Sequence, residues 1–456
     1  MFDTLKQICE NRQVCLLGFG REGQSSYLAI RKVLPEQELF IHDLNPAIES
    51  IPLVKEDQHL RFITGVSYLD GLGAYEVIMK SPGISWQKLS GIDSARVYTQ
   101  SSLFTARYRK QMIGITGTKG KSTTSSLIHH ITRQHTDDTV LAGNIGIPPF
   151  DLLEQIKEET IIVCELSSHQ LERMSVSPSV AVILNLYEEH LDHYSSRDEY
   201  FRAKMNIARN QADSDYLIVH GDDDLLMKWV SRYPGKGKLI TYGHNRNHCQ
   251  VNSGDASVNA DIPGIPACQI SLEDQTALKG EHNLLNIMAA VTACLLRGIS
   301  KGTIESGIRS FKPLPHRMEY IGNVEGVDFY NDSIATIPEA SIAAMRSIPH
   351  VDTIILGGFD RGIDYTFLAE FLVKEGPRNI ILMGTAGVRI HHILKLMIPE
   401  EDHRIFMVDS LGEAVLIAKK QTAPTKACLL SPAAASYDAY RDFAERGSAY
   451  KSLVLS

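Results

Sequence analysis

Gly114-Ile-Thr-Gly-Thr-Lys-Gly-Lys-Ser-Thr123 brings three glycines, two lysines and two adjacent hydroxyls together in one short stretch. Before it runs Gln111-Met-Ile-Gly-Ile-Thr116, an apolar segment suited to a buried strand. After it, Leu127, Ile128 and Ile131 recur at helical spacing, which predicts a helix beginning near Lys121. In such a strand–turn–helix unit the glycines permit a tight turn with inward-facing amides, and the helix points its positive end at the same place. Lys121 can then reach the β/γ-phosphates of a nucleotide, and Ser122 or Thr123 can hold Mg²⁺. One departure is visible: five residues separate Gly114 from Gly120, where the usual phosphate loop has four.

Outward from this loop, further apolar runs end in chemistry-bearing residues. Ile161-Ile-Val-Cys164 leads into Glu165-Leu-Ser-Ser-His-Gln-Leu-Glu172, and Ser179-Val-Ala-Val-Ile-Leu184 into Asn185-Leu-Tyr-Glu-Glu-His190. Parallel sheets bind ligands outside the carboxyl ends of their strands, so the loop, Glu165 and His190 are expected around one magnesium–phosphate centre. Upstream, Gln13-Val-Cys-Leu-Leu17 precedes Gly18-Phe-Gly-Arg-Glu-Gly23, with Asp43 after Leu39-Phe-Ile-His42. That fingerprint suits a dinucleotide and raises an NAD-dependent oxidoreductase as an alternative, although no obvious hydride-transfer acid or base lies nearby. The same fingerprint cradles any diphosphate at a helix end.

The alternation of short apolar runs and amphipathic stretches predicts α/β units on mostly parallel sheets, restarting three times. A proline-punctuated stretch, Phe311-Lys-Pro-Leu-Pro315, reads as a linker, and Thr353-Ile-Ile-Leu356 and Asn379-Ile-Ile-Leu-Met383 continue the strand pattern beyond it. The expected domains are 1–108, 109–311 and 312–456, and the polar stretch 246–260 is expected to be a surface excursion. A length of 456 residues agrees with about three domains.

Composition narrows the functional classes. Hydrophobic residues make up 43% and charged residues 22%, as in ordinary globular proteins rather than disordered or fibrous ones. The net charge of −8, from 46 basic and 54 acidic residues without blocks of either sign, argues against nucleic-acid or membrane-surface partners. Seven cysteines fall in no C-x-x-C spacing and read as reduced thiols. No apolar run approaches the ~20 residues that cross a bilayer, and the amino-terminal residues lack a signal-peptide core. A cytoplasmic protein is the expectation.

The motifs in combination resemble the Mur ligases of peptidoglycan synthesis. They are Gly117-Thr-Lys-Gly-Lys-Ser-Thr123, Gly143-Asn-Ile-Gly146, Glu165-Leu-Ser-Ser-His-Gln-Leu-Glu172 and Asn185-x-x-x-x-His-Leu-Asp192. Lys279-Gly-Glu-His-Asn-Leu-Leu-Asn286, Leu314-Pro-His-Arg317, Asn331-Asp-Ser333 and Leu356-Gly-Gly358 follow in the same order. Leu430-Ser-Pro-Ala-Ala-Ala-Ser436 and Phe443-Ala-Glu-Arg-Gly447 resemble the branch that adds glutamate. The resemblance implies three α/β domains: a Rossmann-like UDP-sugar domain, a P-loop ATPase domain and a Rossmann-like glutamate domain. It implies an ATP-dependent amide ligase that converts the carboxylate of UDP-N-acetylmuramoyl-L-alanine to an acyl phosphate for attack by glutamate. A monomer is expected.

Site residues follow from the same resemblance. ATP is assigned to Gly117, Thr118, Lys119, Gly120, Lys121, Ser122 and Thr123, with Asn283 and Asn286 near the base. Arg317 and Asp332 are assigned to the γ-phosphate and the ribose. Two magnesium ions are expected on Ser122, Glu165, His190 and Lys204, the last as a CO₂-derived carbamate. Without the resemblance, Lys204 reads as an exposed helix lysine. The implied catalytic groups are Lys121, His190, Lys204 and Arg317. For the UDP-sugar they are Gly18, Phe19, Gly20, Arg21, Glu22 and Gly23 at the diphosphate, Asp43 and Leu44 near uracil, and Ser81, Gly83, Asn144 and His190. For glutamate they are Thr336, Arg361, Ser436 and the Phe443 backbone amide. Many members that add D-glutamate carry lysine after Asn-Asp-Ser; here Ile334 stands in its place, which leaves L-glutamate as an alternative.

Overall fold

A computed structural model describes residues 1–456 apart from 146, 188–193, 195, 247–248, 273–277, 279, 313–314 and 398–403. The chain forms two compact units, Met1–Lys312 and Pro313–Ser456.

The first unit holds two sheets. One consists of β1 (Val14–Leu17), β2 (Leu39–Asp43), β3 (Leu60–Thr64), β4 (Val77–Lys80) and β5 (Val97–Tyr98) in the order 3-2-1-4-5. All its pairings are parallel. Every residue of β1 and β4 is buried, as expected of strands covered on both faces by helices. From β1 the chain adds strands to one side and then, through β4, to the other. The switch point therefore lies between Gly18 and Ser81, directly after those two strands.

The second sheet comprises β6 (Met112–Thr116), β7 (Thr139–Gly143), β8 (Ile161–Glu165), β9 (Val180–Ile183), β10 (Tyr216–His220) and β11 (Lys238–Gly243), then β12 (Val251–Gly254), β13 (Ser257–Ala260) and β14 (Cys268–Ser271). Its order is 14-13-12-11-10-9-6-8-7. Fully buried β6 sits between β8 and β9, both parallel to it, so the residues after these three strands emerge side by side. The helix Lys121–His135 returns across this sheet with Leu127, Ile128 and Ile131 wholly buried. The stretch 246–260 is not a surface excursion. It supplies β12 and β13, which with β14 pair antiparallel at the sheet edge, and Val251, Val258 and Ile270 are fully buried there. Its strands are short and carry polar residues on their outer face, so few apolar residues announce them.

The described residues of the second unit form one sheet: β15 (Glu319–Val324), β16 (Val327–Asn331), β17 (Val351–Gly357), β18 (Asn379–Met383), β19 (Arg404–Val408) and β20 (Ala427–Leu430), in the order 15-16-20-17-18-19. Among the described residues of this sheet, only the β15–β16 hairpin is antiparallel. Apolar clusters cover both faces of this sheet, one around Leu356, Leu382 and Leu429 and the other around Ile355, Ile381 and Leu430. No helix among the described residues is long and apolar enough to cross a membrane.

Candidate active site

The loop after β6 is anchored by the residue after β9. Asn185 accepts from the amide of Thr118 through its carbonyl (3.2 Å) and its side chain (3.0 Å), and from the Lys119 amide at 2.8 Å. Its own amide returns a bond to the Lys119 carbonyl at 3.1 Å. Gly120 closes the turn at φ +82°, where an added Cβ would collide with the Asn286 side chain. The helix Lys121–His135 therefore starts on a glycine without a side-chain cap, which leaves its first-turn amides for an anion.

Two amines converge on this loop. Lys121 Nζ donates to the carbonyls of Gly117 and Thr118, both at 2.9 Å. Lys204, from the helix Arg197–Arg209, donates to the same Gly117 oxygen at 2.8 Å. Lys204 is only 1% exposed and lies 4.6 Å from the Tyr200 ring centroid, so the exposed position suggested by its local sequence is not the one it takes.

Glu165, at the end of β8, is fully buried. Asn144 donates to its Oε1 at 2.7 Å, and Ser125 approaches Oε2 at 3.5 Å. Ser122 is buried in the adjoining first helical turn. Uncapped helix amides, two lysines on one carbonyl oxygen and a buried carboxylate held at one oxygen by an amide fit a polyphosphate with magnesium. His190 lies outside the described residues. No group of three or more His, Cys, Asp or Glu side chains suited to a metal occurs among the described residues.

Asn286 is placed beneath the loop rather than left open. Its Oδ1 accepts from Thr124 at 3.2 Å, and its Nδ2 donates to Asn283 at 3.3 Å. Both asparagines belong to the helix Glu281–Leu296.

The second glycine-rich turn forms its own cavity of about 420 Å³, lined by Gly18, Gly20, Arg21, Glu22, Asp43, Leu44, Ser81 and Gly83. Asp43 shapes it by accepting from the amides of Phe19 (2.6 Å) and Asn45 (2.8 Å). Ser81 Oγ bonds the Gly18 carbonyl at 2.7 Å, which joins the two switch-point strands. Gly23 packs so closely under that carbonyl that any side chain would displace it. Phe19 presents its backbone only, since its ring is buried at the edge of Tyr27.

Several contributors escaped the sequence reading. Lys88 and Tyr68 also line this cavity, joined at 3.1 Å, and neither sits in a motif. Gln170 donates to Glu22 at 2.7 Å while its Oε1 accepts from the Ser167 amide at 2.9 Å, linking the diphosphate-type turn to the segment after Glu165. Burial raises the Glu22 carboxyl above its usual range. Nearby Lys80 is 2% exposed, and burial lowers its ammonium to about 8 despite the attraction of Glu172 and Glu22. Asn185 and Gln170 did lie within quoted motifs; the signal was present and their roles were not read from it.

In the second unit, both Asp332 oxygens accept: from the Met318 amide at 3.2 Å and from Ser431 Oγ at 2.8 Å. Arg317 Nε is buried with no acceptor among the described residues, as suits a group awaiting an anion. Arg361 is exposed and donates to the Thr336 carbonyl at 3.1 Å, which brings two of the glutamate candidates together. Ser436 is buried, and Phe443 opens the helix Phe443–Leu455. Arg446 ties these pieces to one another. It is 1% exposed and donates to Ser333 Oγ, Ser333 O, Ala434 O and Ala435 O at 2.9–3.1 Å.

A phosphate loop on a doubly wound sheet, beside a second parallel sheet with a glycine-rich turn at its switch point, defines a multi-sheet P-loop α/β enzyme. Residues 115–294 match the Mur ligase middle domain. The chain is 33% identical over 399 residues to UDP-N-acetylmuramoylalanine–D-glutamate ligase of Symbiobacterium thermophilum, covering 86% of each. It is 30% identical over 464 residues to the Listeria monocytogenes enzyme of that name, covering 98% of this chain and 97% of the relative. The chain belongs to the Mur ligase family and is an ATP-dependent acid–amino-acid ligase. The dehydrogenase alternative gives way to these full-length relatives. Crystal structures share the fold: MurF from Acinetobacter baumannii has a TM-score of 0.58 at 15% identity, covering 100% of this chain and 99% of that one. MurF from Thermotoga maritima, solved with ADP, has a TM-score of 0.54 at 15% identity, covering 98% and 95%.

Proposed function

We propose that the protein joins D-glutamate to UDP-N-acetylmuramoyl-L-alanine through an acyl phosphate made from ATP. The observation that carries this reading is the meeting of Lys121 and Lys204 at the Gly117 carbonyl, beside buried Glu165. The Lys121 cation and an uncapped helix terminus can stabilise charge on a γ-phosphoryl group as it moves to a substrate carboxylate, and Lys204 stands beside them as the group that carbamylation would turn into a magnesium-facing anion. Lys121 withdraws charge from that group, and Arg317, with its unpartnered Nε, serves a phosphate oxygen. Ser122, Glu165, His190 and a carbamylated Lys204 would hold two magnesium ions, which supply electrophilic neutralisation of the phosphoryl oxygens. Gly117–Thr123, Asn283, Asn286 and Asp332 are the remaining ATP residues of this reading.

The cavity at Gly18–Gly23, Asp43, Leu44, Ser81 and Gly83 takes the UDP portion, with Asn144 and His190 toward the sugar-linked acid. Thr336, Arg361, Ser436 and Phe443 take glutamate, and Arg361 can fork onto one carboxylate. In this reading 1–108, 109–311 and 312–456 are the UDP-sugar, ATP and glutamate domains, and the protein is a cytoplasmic monomer. Relatives named as D-glutamate ligases favour that isomer despite Ile334.

The test combines protein, ATP, Mg²⁺ and UDP-N-acetylmuramoyl-L-alanine, adds D- or L-glutamate separately, and measures phosphate release. Release with D-glutamate alone is expected. Release with L-glutamate alone overturns the stereochemical assignment, and release with neither overturns the reaction.

A further inference from the structure

The helix Arg197–Arg209 turns Lys204 toward the phosphate loop. At about 100° per residue, Arg202, Asn206 and Arg209 lie roughly 140–200° around the helix from Lys204, on its opposite side. That opposite side borders a cavity of about 510 Å³ within the first unit, separate from the cavity at Gly18 and Ser81. Its volume falls within the ~300–1,000 Å³ of small-molecule sites. Among the described residues, none of those assigned to ATP, UDP-sugar or glutamate lines it.

The chemistry of its wall is that of an anion site. Arg173, Arg202 and Arg209 line it together with Glu172 and Glu199. Glu199 lies 3.9 Å from Arg202, and Glu172 interacts electrostatically with Lys80. Arg209 has no ion pair among the described residues. The wall also contains Trp86, which is 7% exposed and whose Nε1–H is buried with no acceptor among the described residues. The Arg173 guanidinium stands 4.9 Å from the Trp86 ring centroid and is presented from a left-handed backbone, φ +58°, which a side chain of this size seldom adopts.

We propose that this cavity binds a small oxyanion-bearing metabolite, its phosphate or carboxylate oxygens accepting from Arg173 and Arg209 beside the Trp86 ring. The guanidinium fork suits either anion. The site stands independently of the ligase reading, because its test requires no turnover.

The chain has two tryptophans, so Trp229→Phe leaves Trp86 as the only indole reporter. The full-length Trp229→Phe protein is titrated with inorganic phosphate, with glutarate, and with chloride at matched ionic strength, and indole emission is followed. A saturable change with phosphate or with glutarate, absent with chloride, is expected, and whichever anion gives it identifies the source. Adding Arg209→Ala, or Arg209→Gln if the first fails to fold by circular dichroism, should weaken binding roughly tenfold, as for the loss of one charge-assisted hydrogen bond. Adding Lys121→Ala should leave the signal unchanged. No saturable change with either anion overturns the proposal. So does a change indifferent to Arg209, or one abolished by Lys121→Ala, which would place the anion on the phosphate loop.

Discussion

Gly117 shows how much chemistry one carbonyl oxygen can organise, because two lysines distant in sequence donate to it. Lys121→Ala is expected to lower kcat by about 10³-fold or more while far-UV circular dichroism stays unchanged, since it removes charge stabilisation rather than packing. Lys204→Ala should be nearly inactive and partly rescued by acetate, which would restore an anion where a carbamate is missing; rescue by chloride at equal ionic strength would remove the case for a carboxylate-like group. Lys121 was legible in the sequence because its role follows from neighbours in the chain. Lys204 was legible only through family resemblance, since its burial is set by a loop far upstream. Lys80 was not legible at all. Its ammonium is lowered by burial from the ordinary 10.5 to about 8, so between those values the folded state binds fewer protons than the unfolded one. Stability from this group therefore rises with pH through that window. Chemical denaturation should show the wild-type protein gaining about 2–3 kcal/mol relative to Lys80→Met from pH 8 to pH 10.5. A constant difference between the two would mean that Lys80 titrates normally.

At the scale of elements, β6, β8 and β9 could be read directly because strands buried on both faces are nearly continuous apolar runs. Strand-end logic brought the phosphate loop together with Glu165 and His190; the order β9-β6-β8 sets the loop beside the strand that ends in Glu165, His190 lies outside the described residues, and the part played by Asn185 comes from the structure alone. The β12–β14 extension was missed because short edge strands with one polar face carry little periodic signal. Two elements depend on single residues in ways that can be measured. Gly120→Ala would force a side chain into a left-handed position already occupied by Asn286, so the start of the Lys121–His135 helix must shift. Nucleotide affinity by calorimetry is expected to fall at least tenfold, with UDP-sugar affinity unchanged. In the second unit, Arg446→Met would leave the carbonyls of Ser333, Ala434 and Ala435 without this donor. The expected loss is about 3 kcal/mol in denaturant unfolding followed by circular dichroism. A change below about 0.5 kcal/mol would show that water replaces the guanidinium freely.

On the scale of the whole molecule, the phosphate loop and the cavity at the Gly18 turn both belong to Met1–Lys312, and so do both tryptophans. The apolar clusters respect the same division: those of the first two sheets involve residues up to Phe311, and those of the third begin at Met318. A unit that buries its own clusters carries its own folding free energy. Residues 1–312 expressed alone are therefore expected to unfold cooperatively by tryptophan emission. They should bind UDP-N-acetylmuramoyl-L-alanine within about threefold of the full chain, an affinity difference below about 0.7 kcal/mol. They should nevertheless make no amide, because Arg317, Arg361 and Ser436 lie beyond them. A fragment that unfolds without a cooperative transition would show that its sheets require residues after 312. A fragment that folds but fails to bind the UDP-sugar would separate the architecture from the proposed assignment of the Gly18 cavity. The two failures are distinguishable in one sample, by emission first and calorimetry second.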